Sequence, residues 1–266
     1  MLEKDELIKQ AEGAIAWIKE YVKQIGAKGV VVGNSGGKDS ATVIAMATKA
    51  LGKENVVTVS MPCHSISHDF EDAKLVADTF GVKFLKVDLT DTYDELEKAI
   101  HISIGQDPLK EEVFPIKELS KEATINIKPR LRMTTLYGIA QSLGYLVIGT
   151  GNLCEAMVGY TTKWGDNSSD FNPIGNFTVD EVLAIGEYLG VPEEILKKAP
   201  NDGLGGKTDE EKMGIKYSQI AEMIETGTTE ENAKKEIIKR YNASKHKRIL
   251  VPVYTFERKN FLKDGK

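Results

Sequence analysis

Six consecutive residues, Ser35-Gly36-Gly37-Lys38-Asp39-Ser40, hold the densest phosphate-binding chemistry in the chain. With Gly33 and Asn34 before them they offer glycines that let backbone amides turn inward, two hydroxyl donors, and the positive end of whatever helix follows. Such a nest suits an anion. Asp39 narrows the choice, because a carboxylate inside an anion nest is unfavourable unless a divalent cation bridges it to the phosphates, and Mg2+ is the ion this implies. The pattern is not a Walker A loop: Val32 stands where that motif begins with Gly, and Asp39 follows Lys38 where it needs Ser or Thr. Gly149–Cys154 lacks the third glycine of a dinucleotide fingerprint. A glycine-rich turn with Ser and Asp capping a helix is the plainer alternative, and an apolar strand, loop and helix in register argue against it.

The elements that must position this loop are legible around it. Leu7, Ile8, Ala11, Ala14, Ile15, Ile18, Tyr21, Val22 and Ile25 recur at helical spacing over residues 2–25, an amphipathic helix stopped by Gly26 and Gly29. Gly29–Gly33 reads as a short buried strand that enters the loop, and a helix follows over Ser40–Leu51. Further strands fit Asn55–Met61, Val82–Leu89 and Gly144–Gly149, with helices over His68–Phe80 and around Arg132–Leu143. Residues 105–129 and 200–212 are weakly periodic and read as long loops of the kind that form lids. The alternation predicts an α/β fold with a doubly wound, mostly parallel sheet, helices on both faces and ligands at the carboxyl ends of the strands. One domain over 1–266 is expected, with a C-terminal segment of about 240–266 closing on the site.

SGGKDS after an apolar strand resembles the SGGxDS signature of the N-type ATP pyrophosphatases, the PP-loop class. That class, whose fold is of the adenine nucleotide alpha hydrolase type, splits ATP between its alpha and beta phosphates to adenylate a carboxylate or carbonyl. The loop alone does not choose the substrate. Ile148–Asp166 (IGTGNLCEAMVGYTTKWGD) is similar to the NAD synthetase pattern GTxxxxExxxGYxTKxGD, and DFNPIG at Asp170–Gly175 continues it in register. Asn126–Met133, Gly203–Gly214 and His246-Lys247-Arg248 add matches, so the resemblance spans nearly the whole chain.

The resemblance implies ammonia-dependent amidation of deamido-NAD to NAD with ATP as co-substrate, releasing AMP and pyrophosphate. Gly33, Asn34, Ser35, Gly36, Gly37, Lys38, Asp39, Ser40 and Thr150 would bind ATP, and Asp39 and Glu155 would hold the metal. Arg130, Tyr160, Lys163, Asp166, Asp170, Asn201, His246 and Lys247 would bind the dinucleotide, with Asp39, Glu155, Lys163 and Asp170 catalytic and Asp170 or Asp166 accepting the ammonium proton. Several of these residue types have second readings. Tyr160 stacks on a pyridine ring or belongs to the core; Lys163, Asp166 and Asp170 form a site or a salt-bridged surface turn; Lys245–Arg248 is a substrate contact or a solvated basic run; and Thr208–Glu211 fits a capping box. Four positions depart from the family: Val179 replaces a common Lys, Ser60 a common Arg, Asn201 the usual Ser or Thr, and Pro129 an Ala.

The composition sets outer bounds. A formal charge of -5 and a pI of about 5.6 give no electrostatic draw toward nucleic acid or anionic lipid. Only two cysteines and no charged-then-apolar leader point to the cytoplasm, and apolar runs fall well short of the roughly 20 residues a membrane helix needs. Cys63, His64 and His68 lack a fourth ligand at zinc-finger spacing. Without a glutaminase segment beside the synthetase motifs, free ammonia is the expected nitrogen donor. The family and the apolar stripe of the first helix together suggest a homodimer. Another PP-loop ligase, a tRNA-modifying relative and a nucleotide sensor without turnover are the competing functions.

Overall fold

The computed structural model describes residues 2–65, 67–105, 118–198 and 208–254. Helix α1 (Lys4–Ile25) ends on Gly26, whose φ of 74° supplies the left-handed C-cap. Strand β1 (Val30–Gly33) then leads to α2 (Lys38–Leu51), β2 (Val56–Ser60), α3 (Ser67–Phe80) and β3 (Lys83–Lys86). Helices α4 (Thr90–Gly105) and α5 (Lys121–Leu143) precede β4 (Leu146–Ile148) and α6 (Leu153–Val158). Five helices follow: α7 (Val179–Tyr188), α8 (Glu193–Leu196), α9 (Asp209–Met213), α10 (Tyr217–Thr226) and α11 (Glu231–Ala243), then a 3-10 turn over Lys245–Lys247.

The sheet order is β3-β2-β1-β4, with every pairing parallel. From β1 the chain builds outward through β2 and β3, then returns to place β4 on the other side of β1. The crevice beyond the carboxyl ends of β1 and β4 is therefore the topological switch point, where ligands of open α/β sheets bind. Along β1 the side chains alternate: Val30 and Val32 enter a cluster with α1, α2 and α7, while Val31 joins one that includes Val57, Val59 and Ala140 of α5. Both faces of the central strands are thus covered, as the unbroken valine run predicts. The edge strand β3 differs, exposing Lys83, Leu85 and Lys86, and its charged ends discourage pairing with another sheet. A third apolar cluster joins α6, α9, α10 and α11.

Three expectations change. The segment 105–129 is not all loop, since α5 begins at Lys121, where Ser120 accepts from the Ala123 amide at 3.2 Å. Most of α5 is half-buried all round and it carries Pro129 internally, so no stripe betrays it. Residues 106–117 and 199–207 lie outside the described residues, but α9 occupies the end of the second expected loop, opened by the Thr208–Glu211 capping box. The apolar stripe of α1 is spent in the core, with Leu7, Ala11, Ile15, Ile18 and Val22 all buried, so the face that α1 leaves for a second subunit is the one that carries exposed Trp17.

Helices α2 and α7 meet at Gly186, where an added Cβ would lie 2.7 Å from Thr42 Oγ1 and 2.8 Å from Leu196 Cδ2. Because Thr42 is β-branched and fully buried, it has little room to yield. Gly186→Ala should lower stability by about 1–3 kcal/mol through overpacking, measured by urea unfolding at constant m-value.

Candidate active site

The loop after β1 is held by its own side chains. The amide of Asn34 donates to the Val59 carbonyl at 2.9 Å, extending the sheet by one residue. Its side chain donates to Ala73 O at 2.8 Å and accepts from Gly36 N at 3.1 Å, so one buried amide group fixes the turn and ties it to α3. Gly36 has φ 71°, and a Cβ there would come within 2.7 Å of Asp72 Cβ and 2.9 Å of Ala73 N. Only glycine satisfies both the left-handed backbone and the contact. Ser35 Oγ lies 3.2 Å from Ser40 Oγ and accepts from Gly37 N at 3.3 Å. Gly37, the N-cap of α2, brings no side-chain cap, so the first-turn amides and the helix dipole remain available to an anion.

Across the switch point, Asn152 opens α6 at 1% exposure. Its Oδ1 accepts from Glu155 N at 3.0 Å while Glu155 Oε2 accepts from Asn152 N at 2.9 Å, a complete capping box. The Asn152 Nδ2 donates to Asp39 Oδ1 at 3.1 Å. The other oxygen of Asp39 takes the ammonium of Lys38 at 2.7 Å. Asp39 and Glu155, 116 positions apart by their numbering, are thereby brought to one place. Loss of water pushes the Glu155 carboxyl up to about 8, and the neighbouring charge of Asp39 adds to it. Burial pulls the Lys38 pKa down, but Asp39, Glu155 and Asp209 outweigh it and leave the group above its usual value. Asp209, 7% exposed on α9, accepts from the Tyr160 hydroxyl at 3.1 Å.

Two hard carboxylates that resist joint ionisation fit a divalent cation as missing counter-charge. No trio of His, Cys, Asp or Glu among the described residues could cage a metal, so phosphate oxygens and water would complete a magnesium shell.

The expected substrate residues divide. Arg130 donates through Nε and Nη2 to Lys163 O at 3.3 Å, joining α5 to the loop after α6. Lys163 Nζ sits 5.2 Å over the Trp164 ring, and Trp164 is exposed with φ 64°, a rare conformation for an aromatic residue. Asp166 accepts from Thr162 N at 2.7 Å and closes this turn. Asp170 accepts from Val147 N at 2.7 Å and from Tyr137 Oη at 3.3 Å. Burial and Asp170 push the Tyr137 hydroxyl up to about 12, so it stays a donor. Thr150 lies between β4 and Asn152, at the same crevice. Tyr160 is partly buried against the third apolar cluster with its hydroxyl on Asp209, which favours the core reading for most of its ring. Asn201 lies outside the described residues.

In the tail, Lys247 donates to Gly159 O at 2.8 Å and Thr161 O at 2.5 Å. Arg248 donates to Ala156 O at 3.0 Å, to Ser244 Oγ at 2.6 Å and to Tyr241 O. Both cations therefore sit at the carboxyl end of α6, where the unpaired carbonyls and helix dipole favour positive charge. His246 is exposed on the 3-10 turn. Val179 is buried beside Cys154 and Val158, and Ser60 is buried at the end of β2, so neither departure from the family pattern supplies a cation.

Nothing in the sequence alone marks Asn152 or Asp209 as a site residue. The Asn-x-x-Glu spacing of a capping box was visible at Asn152, whereas its bond to Asp39 depends on the packing of two distant loops.

A parallel sheet whose central strand delivers this loop to two carboxylates at the switch point defines a PP-loop α/β protein built to handle ATP. The NAD synthase family model matches residues 10–260, and the chain belongs to that family. The NH3-dependent NAD+ synthetase of Carboxydothermus hydrogenoformans is 42% identical over 220 residues, covering 82% of this chain and 86% of the relative. Among solved structures, NMN synthetase from Francisella tularensis superposes with TM-score 0.83 at 30% identity, covering 96% of this chain and all of that one. NH3-dependent NAD synthetase from Campylobacter jejuni gives TM-score 0.73 at 26% identity, covering 94% and 99%.

Two outcomes follow from the geometry. A carboxyl raised from its ordinary 4.5 to about 8 holds its proton longer in the folded chain, so its stabilising contribution is lost as pH rises through that window. In EDTA, Glu155→Gln should therefore melt several degrees above the unsubstituted protein above about pH 8, with the gap closing near 4.5; the measurement is Tm against pH. Lys247→Ala should lower Tm by removing the cation from the α6 carbonyls, at a cost of roughly 1–3 kcal/mol. An unchanged melting curve would contradict the anchoring role.

Proposed function

We propose that the chain amidates the nicotinate carboxylate of deamido-NAD with ammonia, using ATP. The observation that carries this reading is the convergence of the phosphate loop with Asp39 and Glu155 at the switch point, in a chain of the NAD synthase family. A carboxylate accepts ammonia poorly. Attack of its oxygen on the alpha phosphorus of ATP forms an acyl adenylate and breaks the bond to pyrophosphate; ammonia then adds to the acyl carbon and AMP departs with the acyl C–O bond pair.

The loop amides, Ser35 and Ser40 bind and orient the phosphates, and the α2 dipole stabilises charge developing on pyrophosphate. Asp39 and Glu155 would hold Mg2+, which supplies electrostatic stabilisation of the leaving group when bound. Arg130, Tyr160, Lys163, Asp166, Asp170, Asn201, His246 and Lys247 are assigned to the dinucleotide side, and Thr150 to ATP. Asp170 is assigned as the proton acceptor; its carboxylate is fixed by Val147 N and Tyr137 Oη while the residue stays exposed beside the edge strand β4. No helix among the described residues is long and apolar enough to cross a membrane, which is in keeping with a cytoplasmic enzyme. A homodimer is proposed through the aromatic surface beside Asp170, where exposed Trp17 meets Phe171 edge-on at 5.6 Å and Tyr21 lies 4.9 Å from the same ring. Sedimentation of Trp17→Glu as a monomer, against a dimeric parent, is the outcome this expects.

A second reading, amidation of nicotinate mononucleotide, is favoured by the higher TM-score to the Francisella NMN synthetase. Parallel assays of pyrophosphate release with the two acids decide between them: deamido-NAD should turn over the faster with ammonium salts, and glutamine alone should add little. Asp39→Asn and Glu155→Gln should each lower turnover by ~100-fold or more while the fold persists by circular dichroism.

A further inference from the structure

Lys38 occupies the variable position of the SGGxDS signature, and its side chain does not reach into solvent: the residue is 8% exposed. Its ammonium lies 2.7 Å from Asp39 Oδ2 and 5.8 Å from the centroid of the Tyr217 ring, itself buried. Three carboxylates act on it, those of Asp39, Glu155 and Asp209. Asn152 takes the other Asp39 oxygen through a neutral amide donor. Lys38 thus brings a positive charge into a cluster of acids, in direct contact with one of them. Both Asp39 oxygens are already bonded to protein groups, so an ion that ligates Asp39 must compete with the Lys38 ammonium. Lysine suits that exchange, being a compact charge on a flexible stem that can be redirected without leaving the loop.

We propose that Lys38 is a built-in counter-ion that occupies Asp39 until magnesium and nucleotide arrive together, and then transfers its charge to the phosphates. This rests on the reading of Asp39 and Glu155 as cation ligands. The consequence is coupling: the free divalent ion binds weakly because it must evict Lys38, while the ion with nucleotide binds well because the evicted ammonium gains a phosphate partner. Removing a buried partner leaves Asp39 and Glu155 uncompensated, so a neutral side chain at 38 should make the empty site both less stable and more avid for metal.

The test is titration of Mn2+ by electron paramagnetic resonance in nucleotide-free protein and again with a non-hydrolysable ATP analogue. Lys38→Met should bind Mn2+ without nucleotide at least about tenfold tighter than the parent, given the charge removed at contact distance. Its affinity for the analogue should fall by a similar factor, and Mn2+ should raise its Tm more than the parent's. Lys38→Gln repeats the titration with a smaller change of polarity, and decides the matter if the methionine variant does not fold. Unchanged nucleotide-free Mn2+ affinity in the folded variant, with Asp39→Asn losing the ion, overturns the role of Lys38 and leaves the metal assignment standing. Retention of Mn2+ by Asp39→Asn with nucleotide present overturns the metal assignment itself.

Discussion

The side chain of Asn152 is the joint on which the site depends. Its carbonyl closes the capping box of α6 and its amide holds Asp39, so a single buried residue fastens the loop after β4 to the loop after β1. A parallel sheet places these loops side by side at the switch point but does not by itself align their side chains. The hydrogen bonds do that. With no water to compensate a broken bond at 1% exposure, the arrangement is strongly specified.

Helix α6 is held from both ends. Asn152 satisfies its first amides, while Lys247 and Arg248 satisfy carbonyls at its last turn and beyond. Six residues make a helix too short to be stable alone, so its orientation is imposed by these contacts and by the packing of Cys154 and Val158. That gives the C-terminal turn a part in positioning Glu155, although Lys247 and Arg248 themselves bond to carbonyls.

The phosphate loop is braced from its other side by α3. Gly36 lies against Asp72, and Asp72 with Asp69 takes the ammonium of Lys198 at 2.5 and 2.8 Å. The charge that would otherwise accumulate near the loop is thus neutralised behind it. In front of it the carboxylates of Asp39, Glu155 and Asp209 act on Lys38, and that acidic side of the loop is the side proposed to take a cation.

Much was legible in the sequence because it depends on local periodicity and on backbone chemistry. The valine run of β1, the glycines of the loop and the stripe of α1 each state their own structure, and SGGKDS with GYTTKWGD states the family. Helix α5 was only partly legible, since half-burial around its circumference erases the apolar stripe that marks a helix. Tertiary structure alone decided which polar groups meet. Lys247 could serve a phosphate or a carbonyl by its type, and only the packing of the tail on α6 assigns it to Gly159 and Thr161. Asn152 read locally is a helix cap, and only the parallel order β1-β4 makes it the partner of Asp39. Periodicity reports the environment along one element; a hydrogen bond between residues 113 positions apart is set by how two loops approach, which no local pattern encodes.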